Sequence, residues 1–474
     1  MSFAIYVGAD HARAGHGWLA GYGDEPSGHW LELVPRTGHA AGATITVGVT
    51  PAAAMPGVLT EIPQAPTTAR QLRVSYTHYL GVPAPLTNGG LNEHGVAVRD
   101  VWSPSRDELI AMTPPDQAGP NYSDLARIVL DRARSARAGV ELIGDLIARY
   151  GYSTYGGNSH LIADADEAWV VIEYAGGQGL WVAERLGPDA LRASRPGWIA
   201  EVPDDLDGNG GFLAAPHFID FAREQGWYDP ARDGTFDANR VYGDGLGRWE
   251  GVRWVEDELE RRSRAGGIGF ADLAAILRAP HLTGDSAGYG QIVPLERDVE
   301  PALRTLWHAP IGALAAPFTP FVLGVSGIPP ELREHRYLGD GEGATFVDFD
   351  VRERPPSRVP QGIEATRSAV AAAKRLLYLV CEHHELLLPE VTPVWAALED
   401  DLQHQLDDQR TAARALIDQG QSDVADRLLT RWCEASAIRG LDVVETLAAS
   451  IETRMRLRFG VRETPDWRGP DQIW

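Results

Sequence analysis

Cysteine and lysine are nearly missing from this chain. Two cysteines, Cys381 and Cys433, stand among 474 residues. They are too few for a disulfide framework or a cysteine-based zinc site. The single lysine, Lys374, lies in a helical Ala/Leu run, which sets aside Schiff-base and P-loop chemistry. No stretch of about 18 apolar residues occurs, so no transmembrane helix is expected. The first residues, MSFAIYVGADHARAGHGWLAG, carry neither a cationic start nor a long apolar core. A secretory signal is therefore not expected, and the default is a cytoplasmic protein. Positive charge is also short: 43 Lys+Arg against 66 Asp+Glu leave a formal charge of −23. Such a field repels nucleic acid and anionic membrane, and neither is an expected partner.

Stock motifs are missing as well. GxSxG, HExxH, a complete GxGxxG and a Walker A loop do not occur. Asp205 to Gly210 copies the first half of an EF-hand loop, but Pro216 stands where the bidentate Glu is needed. His383-His384-Glu385 lacks metal-ligand spacing. No metal and no cofactor are expected.

What the chain does have is an ordinary globular composition, 44% hydrophobic and 23% charged, and enough length to bury a large core. Its N-terminal part reads as short strands punctuated by Gly and Pro: Ser2 to Val7, Thr44 to Val49, Leu72 to Tyr79, and Gly89 to Val98 with turn residues in its middle. Ser123 to Tyr150 has helical spacing and predicts two helices broken near Ala138-Gly139. Strands follow at His160–Ala163, Ala168–Tyr174 and Leu180–Arg185. Gly251–Arg262 and Phe270–Leu277 read as helices. Pro301–Pro330 shows no period. Arg352–Pro360 reads as a boundary. Beyond it, Ile363–Leu387, Pro393–Gln419, Asp423–Ile438 and Leu441–Phe459 predict four amphipathic helices. The pattern is α+β.

One constellation carries chemistry. Serine is small, so Met1 should be removed, leaving Ser2 with a free α-amine. Hydroxyl nucleophile and base then share one residue. The α-amine has a reference pKa of about 7.7–8.0, near the operating pH that a general base needs. An N-terminal amine is a known activator of such a nucleophile. Met-Ser is also a common protein start, so the surrounding pattern matters.

Ser2-Phe-Ala-Ile-Tyr-Val-Gly8 resembles the opening of the dipeptidase A/secernin family of N-terminal-nucleophile (Ntn) hydrolases, whose mature chain begins Cys-Thr-Thr, then apolar-apolar-Val-Gly. Gly15–Asp24 is similar to the family's next strand, with Asp24 on its Asp. Gly89–Ala97 (GGLNEHGVA) resembles the Gly-x-x-Asn-Glu-x-Gly-Val-Ala segment. His160–Arg185 (HLIADADEAWVVIEYAGGQGLWVAER) is the most specific match. Ala193-Ser194-Arg195 falls on Ala-Asn-Arg, and Phe236–Arg253 resembles the segment that precedes an Arg. The likeness runs over nearly the whole chain. There are departures: Ser2 replaces the family's Cys, Gly21 stands where it has an Arg, Ser194 replaces its Asn, and Pro280–Asp285 replaces a Glu-Gly-Thr element.

The resemblance implies an αββα four-layer sandwich over residues 2–351, with a helical region, 361–460, packed on it. It implies an amidohydrolase acting on a dipeptide or small amide through an acyl ester on Ser2. An amide-forming acyltransferase on the same fold and a non-catalytic binding relic remain as alternatives. Asp24 would orient the amine; it also fits an ordinary turn residue. Ser194 and Asn92 would stabilise the oxyanion; for Asn92 a hairpin-turn residue in Leu-Asn-Glu-His-Gly is the better reading. Arg253 would bind a substrate carboxylate, or be a solvated helix arginine. His16 would supply positive charge in place of the arginine absent at Gly21.

Overall fold

The computed structural model describes residues 2–23, 29–76, 80–83, 85–206, 210–283, 288–311, 313–333, 367–460 and 473. The boundary expected at 351–361, part of Pro280–Asp285 and Asp24 lie outside the described residues.

Two large sheets organise the chain, and every strand pairing in them is antiparallel. In chain order their strands are β1 (Phe3–Val7), β2 (Gly17–Gly23), β3 (His29–Val34), β4 (Gln71–Tyr76), β5 (Leu86–Asn92), β6 (Ala97–Trp102) and β7 (Asn158–Ala163). They continue as β8 (Ala168–Glu173), β9 (Trp181–Leu186), β10 (Leu191–Ser194), β11 (Phe212–Ala214), β12 (Tyr289–Leu295), β13 (Thr305–Ala309) and β14 (Thr319–Val322). The six-stranded sheet runs β10-β1-β2-β12-β13-β14, and the eight-stranded sheet β11-β9-β8-β7-β6-β5-β4-β3. β1 is central and buried along its whole length. That is why it reads as a continuous apolar run rather than an alternation.

The principal helices are α1 (Tyr122–Arg132), α2 (Ala136–Tyr150), α3 (Glu250–Arg264), α4 (Phe270–Leu277), α5 (Ala369–Glu382), α6 (His384–Asp418) and α7 (Ser422–Phe459). α1 and α2 pack on the eight-stranded sheet; α3, α4, α6 and α7 pack on strands of the six-stranded one. The two sheets touch through β1 and β2 against β6. Glu256 of α3 accepts the Ala193 N–H of edge strand β10 at 2.9 Å, so that edge is closed by a side chain.

Three expectations are corrected. The break between α1 and α2 falls at 133–135, not at Ala138-Gly139. Ser135 caps α2 through its hydroxyl, which accepts Ala138 N–H at 3.1 Å. Pro301–Pro330 contains β13 and β14, whose residues are all buried and so leave no alternation to read. Among the described residues the C-terminal region holds three helices, not four. α6 runs through Pro389 and Pro393 because Leu387, Val391, Trp395, Leu398 and Leu402 form a continuous buried stripe. That tertiary packing outweighs the hydrogen bonds the prolines remove. α7 runs through Gly440, where a Cβ would meet Thr319 Cγ2 at 3.1 Å and Pro317 Cγ at 3.2 Å. The glycine marks a close helix–sheet approach rather than an end. Residues of α5, α6 and α7 belong to the same buried apolar cluster as β13 and β14. None of the helices, among the described residues, is long and apolar enough to cross a membrane.

Candidate active site

Strand register builds the site. Phe3 pairs with Tyr22, Ala4 with Gly21 and with Ser194. On the next strand, Tyr289 pairs with Gly23 and Gln291 with Gly21. Extending β1 by one residue puts Ser2 beside Gly23. Side chains alternate along a strand, and directly paired residues share a face. Ser2, Gly23 and Tyr289 therefore share one face with Ser194, Ala4, Gly21 and Gln291. This face looks toward the second sheet, because Gln291 Nε2 donates to Val98 O at 3.2 Å. A Cβ placed on Gly89 would lie 2.6 Å from both Tyr289 Oη and Gln291 Oε1. Ser2 is 5% exposed and Ser194 2%. Ser194 is the diagonal neighbour of Ser2, about 7 Å away between Cα atoms for such a pair. The Ser194 Oγ, buried, has no hydrogen-bond partner among the described residues.

From the second sheet, Arg99 reaches across. It is fully buried. Its Nη2 donates to Tyr22 O at 2.8 Å, and its Nη1 to Asn88 O at 2.9 Å, to Asn88 Oδ1 and to Tyr289 Oη. A guanidinium thus stands one strand pairing from Ser2. On the opposite face of the six-stranded sheet, Arg195, next to Ser194, donates to Tyr22 Oη at 2.9 Å. Burial pulls its pKa below the usual guanidinium value, against Tyr22. Beside it lies a crevice whose lining includes Arg195, Trp198, Asp244, Arg248 and Trp249, with Arg248 paired to Glu256.

The other expected residues fare differently. Asn92 is fully buried, and both ends of its amide are used structurally. Its Nδ2 donates to Leu130 O and Ala133 O at the end of α1, and its Oδ1 accepts from His94 N and Val96 N. It fastens a hairpin to a helix end and faces away from Ser2, so it is not an oxyanion donor. Arg253 is exposed on α3 and donates to Arg248 O. His16 precedes β2 at the end remote from Gly23, about 20 Å of strand away. Its ring packs on Trp18, and burial lowers its pKa, with Glu296 acting against that shift and Arg410 adding to it. It cannot supply positive charge at Ser2. Nothing in the sequence pattern singles out Arg99, and little marks Asn88. The only signal was Asn88-Gly89-Gly90, a double glycine inside a strand, which marks a bulge or a close approach.

The far face of the eight-stranded sheet holds a second titratable group. His160 Nδ1 lies 2.8 Å from Glu173 Oε1, and its Nε2 donates to Tyr122 O at 2.9 Å. Burial works against the imidazolium, but Glu173 outweighs it and raises the His160 pKa. Asp100 pairs with His160 across β6 and β7. Burial pushes its carboxyl from 3.8 to about 6, against the pull of Arg99 and His160. A raised carboxyl pKa means that folding disfavours the charged form. Stability is therefore lost as pH rises from about 4 through 6. At pH 7 the loss is about 3 kcal/mol, since each tenfold gain in proton affinity is worth about 1.4 kcal/mol. Asp100→Asn should raise unfolding free energy by that order at pH 7–8 and change little at pH 4. Urea titrations of both proteins across that range check this. Among the described residues, no group of three or more His, Cys, Asp or Glu is placed to hold a metal ion.

Part of the chain is similar to known proteins. The model of Peptidase family C69 matches residues 60–246. A "Probable dipeptidase" of Salmonella dublin is 32% identical over 157 residues, which are 32% of this chain and 34% of the relative. A "Probable dipeptidase B" of Lactococcus lactis subsp. lactis (strain IL1403) is 33% identical over 102 residues, 21% of each chain. The matched part thus spans about a third and a fifth of these relatives' length. Among solved structures, a mutant form of the conjugated bile acid hydrolase from Clostridium perfringens aligns at 12% identity and TM-score 0.28. It covers 65% of this chain and 88% of that one.

Proposed function

We propose that this chain is an Ntn-type amidohydrolase that cleaves a dipeptide or small amide with Ser2 as nucleophile. The observation that carries the reading is the end of β1. Ser2 sits on the inner face of a central strand, with Ser194 on the neighbouring strand and a buried guanidinium one pairing away. Two antiparallel sheets in contact, with helices outside both, support an αββα unit over 2–351 and a helical region, 361–460, on it. The match to a peptidase family and the names of the two relatives support peptide-bond hydrolysis.

In this mechanism Ser2 must carry a free α-amine, released from whatever precedes it. The neutral amine takes the Oγ proton, directly or through water, as Oγ attacks the amide carbonyl. Asp24 orients the amine. Arg99 works on its charge state: a nearby buried cation disfavours the ammonium form and keeps the base neutral. Water then resolves the acyl ester.

The test is to trap the ester. The protein is treated with p-nitrophenyl acetate and with alanyl-p-nitroanilide, quenched in acid and digested. The expected result is an acylated peptide beginning at Ser2 that hydroxylamine strips. Hydroxylamine removes an O-ester but not an N-acyl group. Turnover of either probe by Ser2→Ala at the parent's rate would overturn the reading.

A further inference from the structure

The eight-stranded sheet has an irregularity next to the proposed site. Along β4 and β5, Val74 pairs with Gly89, and the next pair is Ser75 with Thr87. Asn88 has no partner on β4: it is the extra residue of a β-bulge. Strict alternation would place Asn88 with Gly90 and Asn92 on the face covered by α1. Gly90 does lie there, since a Cβ on it would meet Leu130 Cδ1 at 3.0 Å. Bulges re-aim a side chain, and here Asn88 points the other way. A Cβ on Gly23 would stand 2.8 Å from Asn88 Oδ1. Gly23 is the residue beside Ser2, so only a glycine there admits the Asn88 amide.

The orientation of that amide follows from its neighbour. Arg99 Nη1 can only donate, and it donates to Asn88 Oδ1. Nδ2 is thereby turned away from Arg99. It is buried, its residue is 0% exposed, and it has no acceptor among the described residues. Buried amide donors are rarely left without an acceptor, and such exceptions point to a role. The Ser194 Oγ, on the inner face one diagonal from Ser2, is in the same condition.

We propose that Asn88 is an oxyanion donor of the site, acting with Ser194. The proposal rests on Ser2 being the nucleophile. As Ser2 Oγ bonds to the carbonyl carbon, its proton passes to the α-amine and the carbonyl π pair moves onto oxygen. Asn88 Nδ2–H and Ser194 Oγ–H donate to that oxygen. When the pair returns, the C–N bond breaks and the α-ammonium protonates the leaving amine. Arg99 is a positioning residue: it holds the amide oxygen so that the NH2 faces the reacting atoms.

Asn88→Asp is the decisive variant. It keeps the shape and an oxygen for Arg99, and replaces the donor by an acceptor. With p-nitrophenyl acetate as probe, the maximal rate of Ser2 acylation should fall by about 10²–10³-fold, with KM nearly unchanged, as for loss of one oxyanion donor. A purely structural role would lower the folded fraction without that split. Asn88→Ser, smaller and still an acceptor for Arg99, serves if Asn88→Asp does not fold. If the folded variant acylates Ser2 at the parent's rate while Ser2→Ala forms no ester, Asn88 is not a donor and the Ser2 reading stands. If Ser2→Ala turns the probe over like the parent, or the parent is never acylated, the nucleophile is wrong and this proposal falls with it.

Discussion

Ser2→Ala should reduce turnover of any amide substrate by about 10⁴-fold or more, the order seen when a nucleophile is removed from a working catalytic unit. Ser2→Cys should behave differently. Amine and attacking atom stay on one residue, and a thiol is the stronger nucleophile at neutral pH. The variant should keep measurable activity and become sensitive to iodoacetamide. The parent should not be, because its own thiols are shielded. Cys381 is 1% exposed and so is Cys433, and burial pushes the Cys433 thiol up to about 12, so almost no thiolate forms. Activity measured before and after alkylation, with the labelled peptide identified by mass spectrometry, checks all three proteins. Undiminished activity in Ser2→Ala would end the case for an N-terminal nucleophile. Iodoacetamide loss in the parent would point instead to a cysteine.

Glu399→Ala should cost about 3–5 kcal/mol, the usual penalty for breaking a buried ion pair and stranding one charge. Arg278, just after α4, and Glu399, on α6, are 5% and 3% exposed. Arg278 Nη1 donates to Glu399 Oε2 at 3.1 Å and its Nη2 to Oε1, while its Nε donates to Ala313 O at 2.7 Å. Glu399 Oε1 also accepts Phe318 N–H at 2.8 Å. Removing the carboxylate takes the Glu399 acceptors from both Nη groups of a buried guanidinium and from a backbone amide together. Urea unfolding measures the loss. Replacing both partners, as Arg278→Met with Glu399→Leu, should recover much of it, because no charge is then left buried. The pair ties α6 to the end of α4 and to the segment that leads into β14. A single cooperative transition in the parent, split in Glu399→Ala, would locate the weakened contact there. A change within about 1 kcal/mol would show that the contact is solvated rather than sealed.

Much of this was legible in the residues themselves. β1, β7, β8 and β9 appear as short apolar runs between Gly, Asp and Pro, because each is bounded by turns whose chemistry is local. α3 and α4 show their period because one face is buried and one is wet. The candidacy of Ser2 needed no fold, since nucleophile and base lie on one residue. Ser194 could be singled out by position in a motif, but only the pairing of Ala4 with both Gly21 and Ser194 brings it beside Ser2.

Tertiary structure decided the rest. β13 and β14 are buried on both faces and therefore carry no alternation to detect. α6 and α7 run through residues that usually end a helix, because packing against β14 outweighs two lost hydrogen bonds and one glycine. Asn92 and Asn88 lie four residues apart on one strand and look equally polar in the sequence. The fold uses one to tie a hairpin to α1, and a single extra residue in the sheet register turns the other toward Ser2. Arg99 reads as one more arginine among many until the second sheet closes over Tyr22 and Tyr289. Register, bulges and the meeting of two sheets depend on strands far apart in sequence. Local propensity determines the pieces, and only non-local pairing selects which polar groups face the nucleophile.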